Sequence, residues 1–307
     1  MNTRKKGLLL AVYTALLWGI LAVELKVTFA WIDSLSVVWI RFVIAFIMLL
    51  IWVLITGKNN FAIFKKPPPL IFLTAIFLGM NYYGFMEGVH YTSPSNAQIF
   101  IQIGPVGFAF VGIFIYREKV TWRSFAGLSL VLLGLFIFYY NQLYGFKGFE
   151  GQYKKGILMV IAGAICWTVF ASLQKKLVKT WDPNQLNLMI YGFCSILFLP
   201  MTDFSTLFHL NFFQWLILIS LGLNTVLSYG FLALAIKYVE ANKVSVIITL
   251  NPIITFIIMA ILGAIGVSWI APEHFNIYGI IGAVAVIGGA IITILSRNNN
   301  SNKENTK

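Results

Sequence analysis

Long apolar runs alternate with short polar breaks along almost the whole chain, and the runs have the length of membrane spans. Ten stand out: 7–28, 34–56, 70–90, 96–116 and 122–140, then 156–178, 184–201, 212–236, 242–267 and 277–295. Each is close to the roughly 20 apolar residues that carry a helix across the hydrocarbon. The breaks hold turn and helix-stop chemistry: Pro67-Pro68-Pro69, Ser93-Pro94, Asp182-Pro183 and Ala271-Pro272. Two joints, 91–95 and 238–241, are so tight that the helices flanking them must form antiparallel hairpins.

Composition agrees with the pattern. The chain is 59% hydrophobic and 10% charged, where a soluble domain carries about 25% charged residues. A net charge of +12 would suit a nucleic-acid partner, but the charges sit in short runs between spans, and no soluble module is left to bind one. Arg4-Lys5-Lys6 before an apolar run resembles a signal peptide; the run is long, lacks a small-residue cleavage site and is read as a retained first span. Cys166 and Cys194 fall mid-span, and His90, His209 and His274 are scattered. No disulfide framework, metal site or cofactor is expected.

Charge placement orients the spans. Of the 22 Lys and Arg, seventeen fall on the segments that are inside when the N-terminus is inside. Four, Lys26, Lys147, Lys154 and Lys155, fall outside, and Arg41 lies within span two. Both termini are therefore expected on the cytoplasmic side of the cytoplasmic membrane. The polar stretch 298–307 is expected to be a disordered tail.

The two halves repeat each other. An offset of 149 aligns Gly7, Ala15, Trp18 and Lys26 with Gly156, Ala164, Trp167 and Lys175. An offset of 147 aligns Tyr91 and Pro105 with Tyr238 and Pro252, and one of 155 aligns Glu118, Gly127 and Gly134 with Glu273, Gly282 and Gly289. The repeats are placed at 1–148 and 149–297. Five spans is an odd number, so the second repeat must insert upside down. The expected fold is all-α, with ten transmembrane helices as two inverted five-helix repeats, an arrangement suited to alternating access.

Polar residues inside spans point to chemistry. Gln98, Gln102 and Pro105 share one helical face, and adding 147 gives Ser245, Thr249 and Pro252. The same shift takes Asn81 and Tyr82 to Ser228 and Tyr229. These faces either line a wet cavity or bond helix to helix, and the prolines should break both helices at matched depth. Trp18 and Trp167 are deep symmetry mates that could floor the cavity or simply pack. Arg41 lies roughly 10 Å below the outer end of span two at 1.5 Å per residue. A lone arginine there costs about 2.5–3.5 kcal/mol on insertion scales, so a partner is expected. Glu24 and Glu87 are the candidates, making a cluster that either gates or couples transport or is a structural ion pair. Glu118 and Glu273 are expected to cap the helices that follow them.

Arg41 in span two, the joint Tyr91-Thr92-Ser93-Pro94-Ser95-Asn96-Ala97 before Pro105, and Arg117-Glu118-Lys119-Val120-Thr121 before Gly127 carry a family resemblance. In these the duplicated unit resembles the EamA branch of the drug/metabolite transporter superfamily. Tyr238-Val239-Glu240-Ala241 and Asn251-Pro252 repeat the pattern in the second half, where Ile190 stands in place of the arginine. The resemblance covers 7–295. It implies a central cavity and movement of small metabolites, often export of amino acids.

The function expected is a secondary transporter, exporting small polar or amphipathic metabolites such as amino acids. An importer or facilitator is the alternative, and a non-transporting receptor or scaffold a distant one. No G-x-x-x-x-G-K-[ST], H-E-x-x-H or G-x-S-x-G occurs, which disfavours ATP drive and an intramembrane enzyme. Expected partners are a small-molecule substrate and membrane lipid, with protons as the candidate coupling ion, in a monomer or homodimer.

Overall fold

The computed structural model describes residues 3–56, 61–118, 120–144, 151–267 and 277–295. The tail 298–307, Glu273 and the Ala271-Pro272 break lie outside them. The described chain is helical: α1 (Thr3–Thr28), α2 (Ser34–Ile55), α3 (Ala62–Lys65), α4 (Leu70–Tyr91), α5 (Pro94–Phe100), α6 (Ile103–Phe114) and α7 (Trp122–Tyr144). Then come α8 (Gly151–Leu177), α9 (Pro183–Phe198), α10 (Phe204–Phe208), α11 (Phe212–Tyr238), α12 (Ala241–Ile248), α13 (Asn251–Ala264) and α14 (Ile277–Leu295).

The polar breaks start the helices as well as stopping the preceding ones. Asp33 accepts from Ser36 N (3.0 Å), Ser93 from Asn96 N (3.2 Å) and Asp182 from Asn184 N (2.9 Å). Asn211 and Gln214 form a reciprocal capping box at the head of α11. Each cap satisfies a helix N–H that would otherwise go without a partner.

Eight helical stretches among the described residues are long and apolar enough to cross a membrane: α1, α2, α4, α5–α6, α8, α11, α12–α13 and α14. The expected fifth span lies in α7, where Trp122–Phe138 is a shorter apolar helical stretch. The expected seventh is the 16-residue α9, prolonged by a 3-10 turn over Leu199–Met201. At 1.5 Å per residue α9 runs about 24 Å, short of the roughly 30 Å core. It packs inside the bundle against α2, α4 and α11. Its Leu186, Leu188, Ile190, Tyr191 and Cys194 are fully buried.

The bundle is organised inside out relative to a soluble protein. Ile51, Trp52, Ile55, Phe114, Phe136 and Ile265 are exposed, whereas Thr14, Asn81, Gln98, Asn224, Thr225 and Thr255 are buried. Many buried side chains bond carbonyls of neighbouring helices: Asn81 Nδ2 to Gly163 O (3.0 Å), Asn224 Nδ2 to Leu17 O (2.8 Å) and Thr255 Oγ1 to Gly19 O (2.7 Å). In hydrocarbon such groups need partners within the protein.

Packing reproduces the internal repeat. Gly7 meets Tyr238 and Val239, while its counterpart Gly156 meets Tyr91 and Thr92, counterparts of that second pair. On α7 and α14 the relation is reciprocal: Gly127 lies against Gly289 and Gly134 against Gly282. Because 127 corresponds to 282 and 134 to 289, the two equivalent helices pack antiparallel about a local pseudo-two-fold. α2 and α9 do the same, with Trp39 Nε1 donating to Ser195 O (3.0 Å) and Phe46 against Gly192. Equivalent helices that run in opposite directions define an inverted repeat.

Candidate functional site

Both polar helices break one turn ahead of their prolines. Between α5 and α6 the chain turns at 101–102, and between α12 and α13 at 249–250. Pro105 has no N–H for Ile101 O, which accepts from Gly104 N instead (2.9 Å). Gln102 Nε2 donates to Gln98 O (3.0 Å) and to Asn251 Oδ1 (2.7 Å), so the two breaks are joined side chain to side chain.

Beside this junction lies a cavity of about 60 Å³. Its walls include Trp18 and Leu21 of α1, Arg41 of α2, Asn81, Tyr82 and Phe85 of α4, Gln98, Ile101 and Pro105 at the first break, Trp167 of α8, Tyr229 of α11, and Ile248 and Asn251 at the second. The aromatic side is continuous: Trp18 meets Trp167 edge-on at 5.8 Å and Tyr229 at 5.3 Å, and Tyr229 meets Tyr82 at 5.7 Å. Gln98 Nε2 donates to Trp18 O (3.1 Å), while its Oε1 is buried without a partner among the described residues.

Eight of the site residues expected from sequence thus share one cavity: Trp18, Arg41, Asn81, Tyr82, Gln98, Pro105, Trp167 and Tyr229. The others lie around it. Ser228 and Ser245 are buried with hydroxyls lacking a partner among the described residues, and Thr249 bonds Val246 O within its own helix (2.7 Å). Pro252 is buried in the first turn of α13. Gln102 also reaches a separate apolar groove of about 450 Å³ between α5–α6 and α7, walled by Phe110, Leu132 and Phe136.

Five lining residues were not expected. Leu21 follows Trp18 by three residues and Phe85 follows Asn81 by four, so helical spacing could have found them. Ile101 and Ile248 are equivalent at the 147 offset. Asn251 is an amide within an apolar run, beside the proline that breaks it.

Arg41 does not sit in the expected ion-paired cluster. Arg41 is 2% exposed; its Nε and Nη2 both donate to Thr225 Oγ1 at 3.3 Å, and its guanidinium carbon lies 4.3 Å from the Tyr82 ring centroid. Lys175–Glu118 (2.9 Å) and Lys243–Glu240 (3.0 Å) form ion pairs, neither involving Arg41. Glu24 lies within the field of Arg41 without pairing with it, its Oε2 buried with no partner among the described residues, and Glu87 lies within the field of Lys155. A hydroxyl and an aromatic face, not a carboxylate, hold the arginine.

Glu118 also differs from expectation. It caps α12 of the other repeat rather than the helix that follows it, accepting from Ala241 N (2.8 Å) and Asn242 N (3.2 Å). Lys175, the counterpart of Lys26, completes the junction and donates to Val239 O (3.4 Å). At the same joint, burial would raise the Glu240 carboxyl, but its own backbone N–H and Lys243 hold it below the ordinary range.

An inverted-repeat membrane bundle whose broken helices meet at a polar and aromatic cavity is the architecture of a transporter. The model of the EamA-like transporter family matches residues 5–140 and 154–295, once per repeat, and the chain belongs to that family. A relative from Haemophilus influenzae, called "Uncharacterized transporter", is 32% identical over 292 residues, covering 94% of each chain. The "Uncharacterized inner membrane transporter YhbE" of Escherichia coli K12 is 30% identical over 94% of this chain and 91% of its own. A solved crystal structure 16% identical superposes with a TM-score of 0.74 over 94% of this chain and 97% of that one, evidence of the fold. The protein is a multi-pass membrane transporter.

Proposed function

We propose that the protein is a secondary transporter that exports small polar or amphipathic metabolites, amino acids among them, across the cytoplasmic membrane by alternating access. The observation that carries this reading is the cavity where the two helix breaks meet, bounded by equivalent residues of both repeats. Rocking one repeat against the other would expose such a site to each side in turn. The excess of Lys and Arg on the segments that include both termini supports cytoplasmic termini. The cavity binds substrate through Trp18, Asn81, Tyr82, Gln98, Trp167 and Tyr229.

Reconstituted vesicles test the reading. Vesicles preloaded with a panel of unlabelled amino acids and related metabolites should accumulate the matching labelled compound by counterflow, saturably. Gln98→Leu and Tyr229→Leu should each lower that counterflow by about tenfold or more, the cost of losing one or two hydrogen bonds or ring contacts at a buried site. Flux that is non-saturable and equal to that of protein-free vesicles for every compound would remove the transporter from this reading.

A further inference from the structure

The cavity holds one full charge and no carboxylate of its own. Arg41 reaches the wall with its donors served by a single hydroxyl, Thr225 Oγ1, at the long distance of 3.3 Å for both bonds. Glu24 lies within the field of Arg41, yet it is not in the wall and makes no ion pair with it. The remaining wall is neutral: indoles, phenols, amides and aliphatic groups. Asn251 is also in the wall, its Oδ1 accepting from Gln102 Nε2.

A buried cation that lacks a bound anion is unfavourable at this depth, and a ligand that neutralises it gains most. The planar guanidinium fork fits a carboxylate through two parallel hydrogen bonds. A zwitterion would leave the site with its positive charge uncompensated, and an organic cation would double it. A phosphate dianion would overshoot in the other direction. Size narrows the class further. About 60 Å³ is under half the roughly 150 Å³ of a cavity that takes benzene, so this conformation has room for a body of only a few heavy atoms.

Resting on the transporter reading, we infer that the cavity selects short organic monocarboxylates by charge, with Arg41 as their counter-ion and specificity determinant. Neutral zwitterions of the same size are second-rank ligands and amines are excluded. Ile190 at the equivalent position of the second repeat means that the charge selects from one side of the pseudo-two-fold only.

Titration calorimetry on the purified full chain in detergent near neutral pH tests this with propanoate, alanine and ethylamine. The three share a small aliphatic body and carry one negative charge, no net charge and one positive charge. Propanoate should bind about tenfold or more tighter than alanine, and ethylamine should not bind. Arg41→Gln, checked for unchanged elution on gel filtration, should abolish the preference. Arg41→Lys, which keeps the charge and loses the fork, should keep the order with weaker propanoate binding. Alanine or ethylamine binding as tightly as propanoate, or propanoate failing to bind, overturns the inference, and the unmutated protein alone decides both. Saturable counterflow of zwitterions in vesicles alongside failed propanoate binding would sink the charge rule and leave the transporter reading standing. Loss of all saturable flux would remove that reading instead.

Discussion

Glu118 does more than any other single carboxylate among the described residues to tie the repeats together. One oxygen accepts from Ala241 N and pairs with Lys175, and the other accepts from Asn242 N. Both side chains are about nine-tenths buried. A carboxylate at a helix N-terminus is stabilised by the exposed N–H groups and the dipole, and here it also neutralises a lysine. Removing one partner leaves the other buried and uncompensated, which costs about 3–5 kcal/mol, whereas removing both costs much less. Glu118→Ala and Lys175→Met should therefore each destabilise strongly, and the double variant should be less destabilised than the sum. Unfolding of the four proteins in one detergent measures the cycle. Strict additivity would mean that the pair contributes nothing beyond its separate contacts.

At the scale of elements, backbone approach decides the packing. Lipid is as apolar as leucine, so helices in a bilayer gain by close contact rather than by hiding from solvent. A Cβ at Gly289 would stand 2.6 Å from Gly127 O and 2.9 Å from Val131 N, and one at Gly134 2.7 Å from Val286 N. These neighbours are backbone and cannot step aside. Gly289→Ala should thus cost about 1–3 kcal/mol through overpacking, despite a helix-propensity gain of up to about 1 kcal/mol. Gly230, in the middle of α11, has nothing within 4 Å of its ideal Cβ. There Gly230→Ala should stabilise by about 0.5–1 kcal/mol, and thermal unfolding should show the two substitutions with opposite signs. Such pairings also mark what was legible in the sequence. Gly127, Gly134, Gly282 and Gly289 stood in register as a repeat, and Ser93 and Asp182 stood at breaks between helices, because those signals are local. Trp18, Asn81, Gln98 and Tyr229 were visible as polar or aromatic residues out of place in a span. Leu21, Phe85, Ile101 and Ile248 were not, since an apolar side chain reads the same toward lipid and toward a cavity. Glu118 was assigned to the wrong helix because its partners are more than fifty residues away and meet it only through the packing of α8 and α12 on α6.

At the scale of the whole molecule, the bonds that close one end of the scaffold can be named residue by residue. The pseudo-two-fold relates the head of α12 at Ala241 to the head of α5 at Pro94. At α12 the first two N–H groups are taken by Glu118, with Lys175 and the Lys243–Glu240 pair beside them. At α5 the first residue is a proline with no N–H to offer, and the cap comes from the neighbouring Ser93. In a two-state rocking motion, a bonded closure at one end favours the state in which it is made. The balance can be moved by weakening that closure alone, and a shift of about 1.4 kcal/mol changes the ratio of states tenfold. Val244 and Ala97 are equivalent at the 147 offset, lie one turn inside α12 and α5, and are fully buried. In a background lacking Cys166 and Cys194, cysteine at position 244 should react with a membrane-impermeant thiol reagent about tenfold faster once Glu118→Gln and Lys175→Met remove the ionic bond. Cysteine at position 97 should react no faster, because opening one end of a rocking bundle closes the other. Equal acceleration at both positions would instead mean that the substitutions loosen the protein generally, and the Glu118 junction would be a structural tie with no share in access.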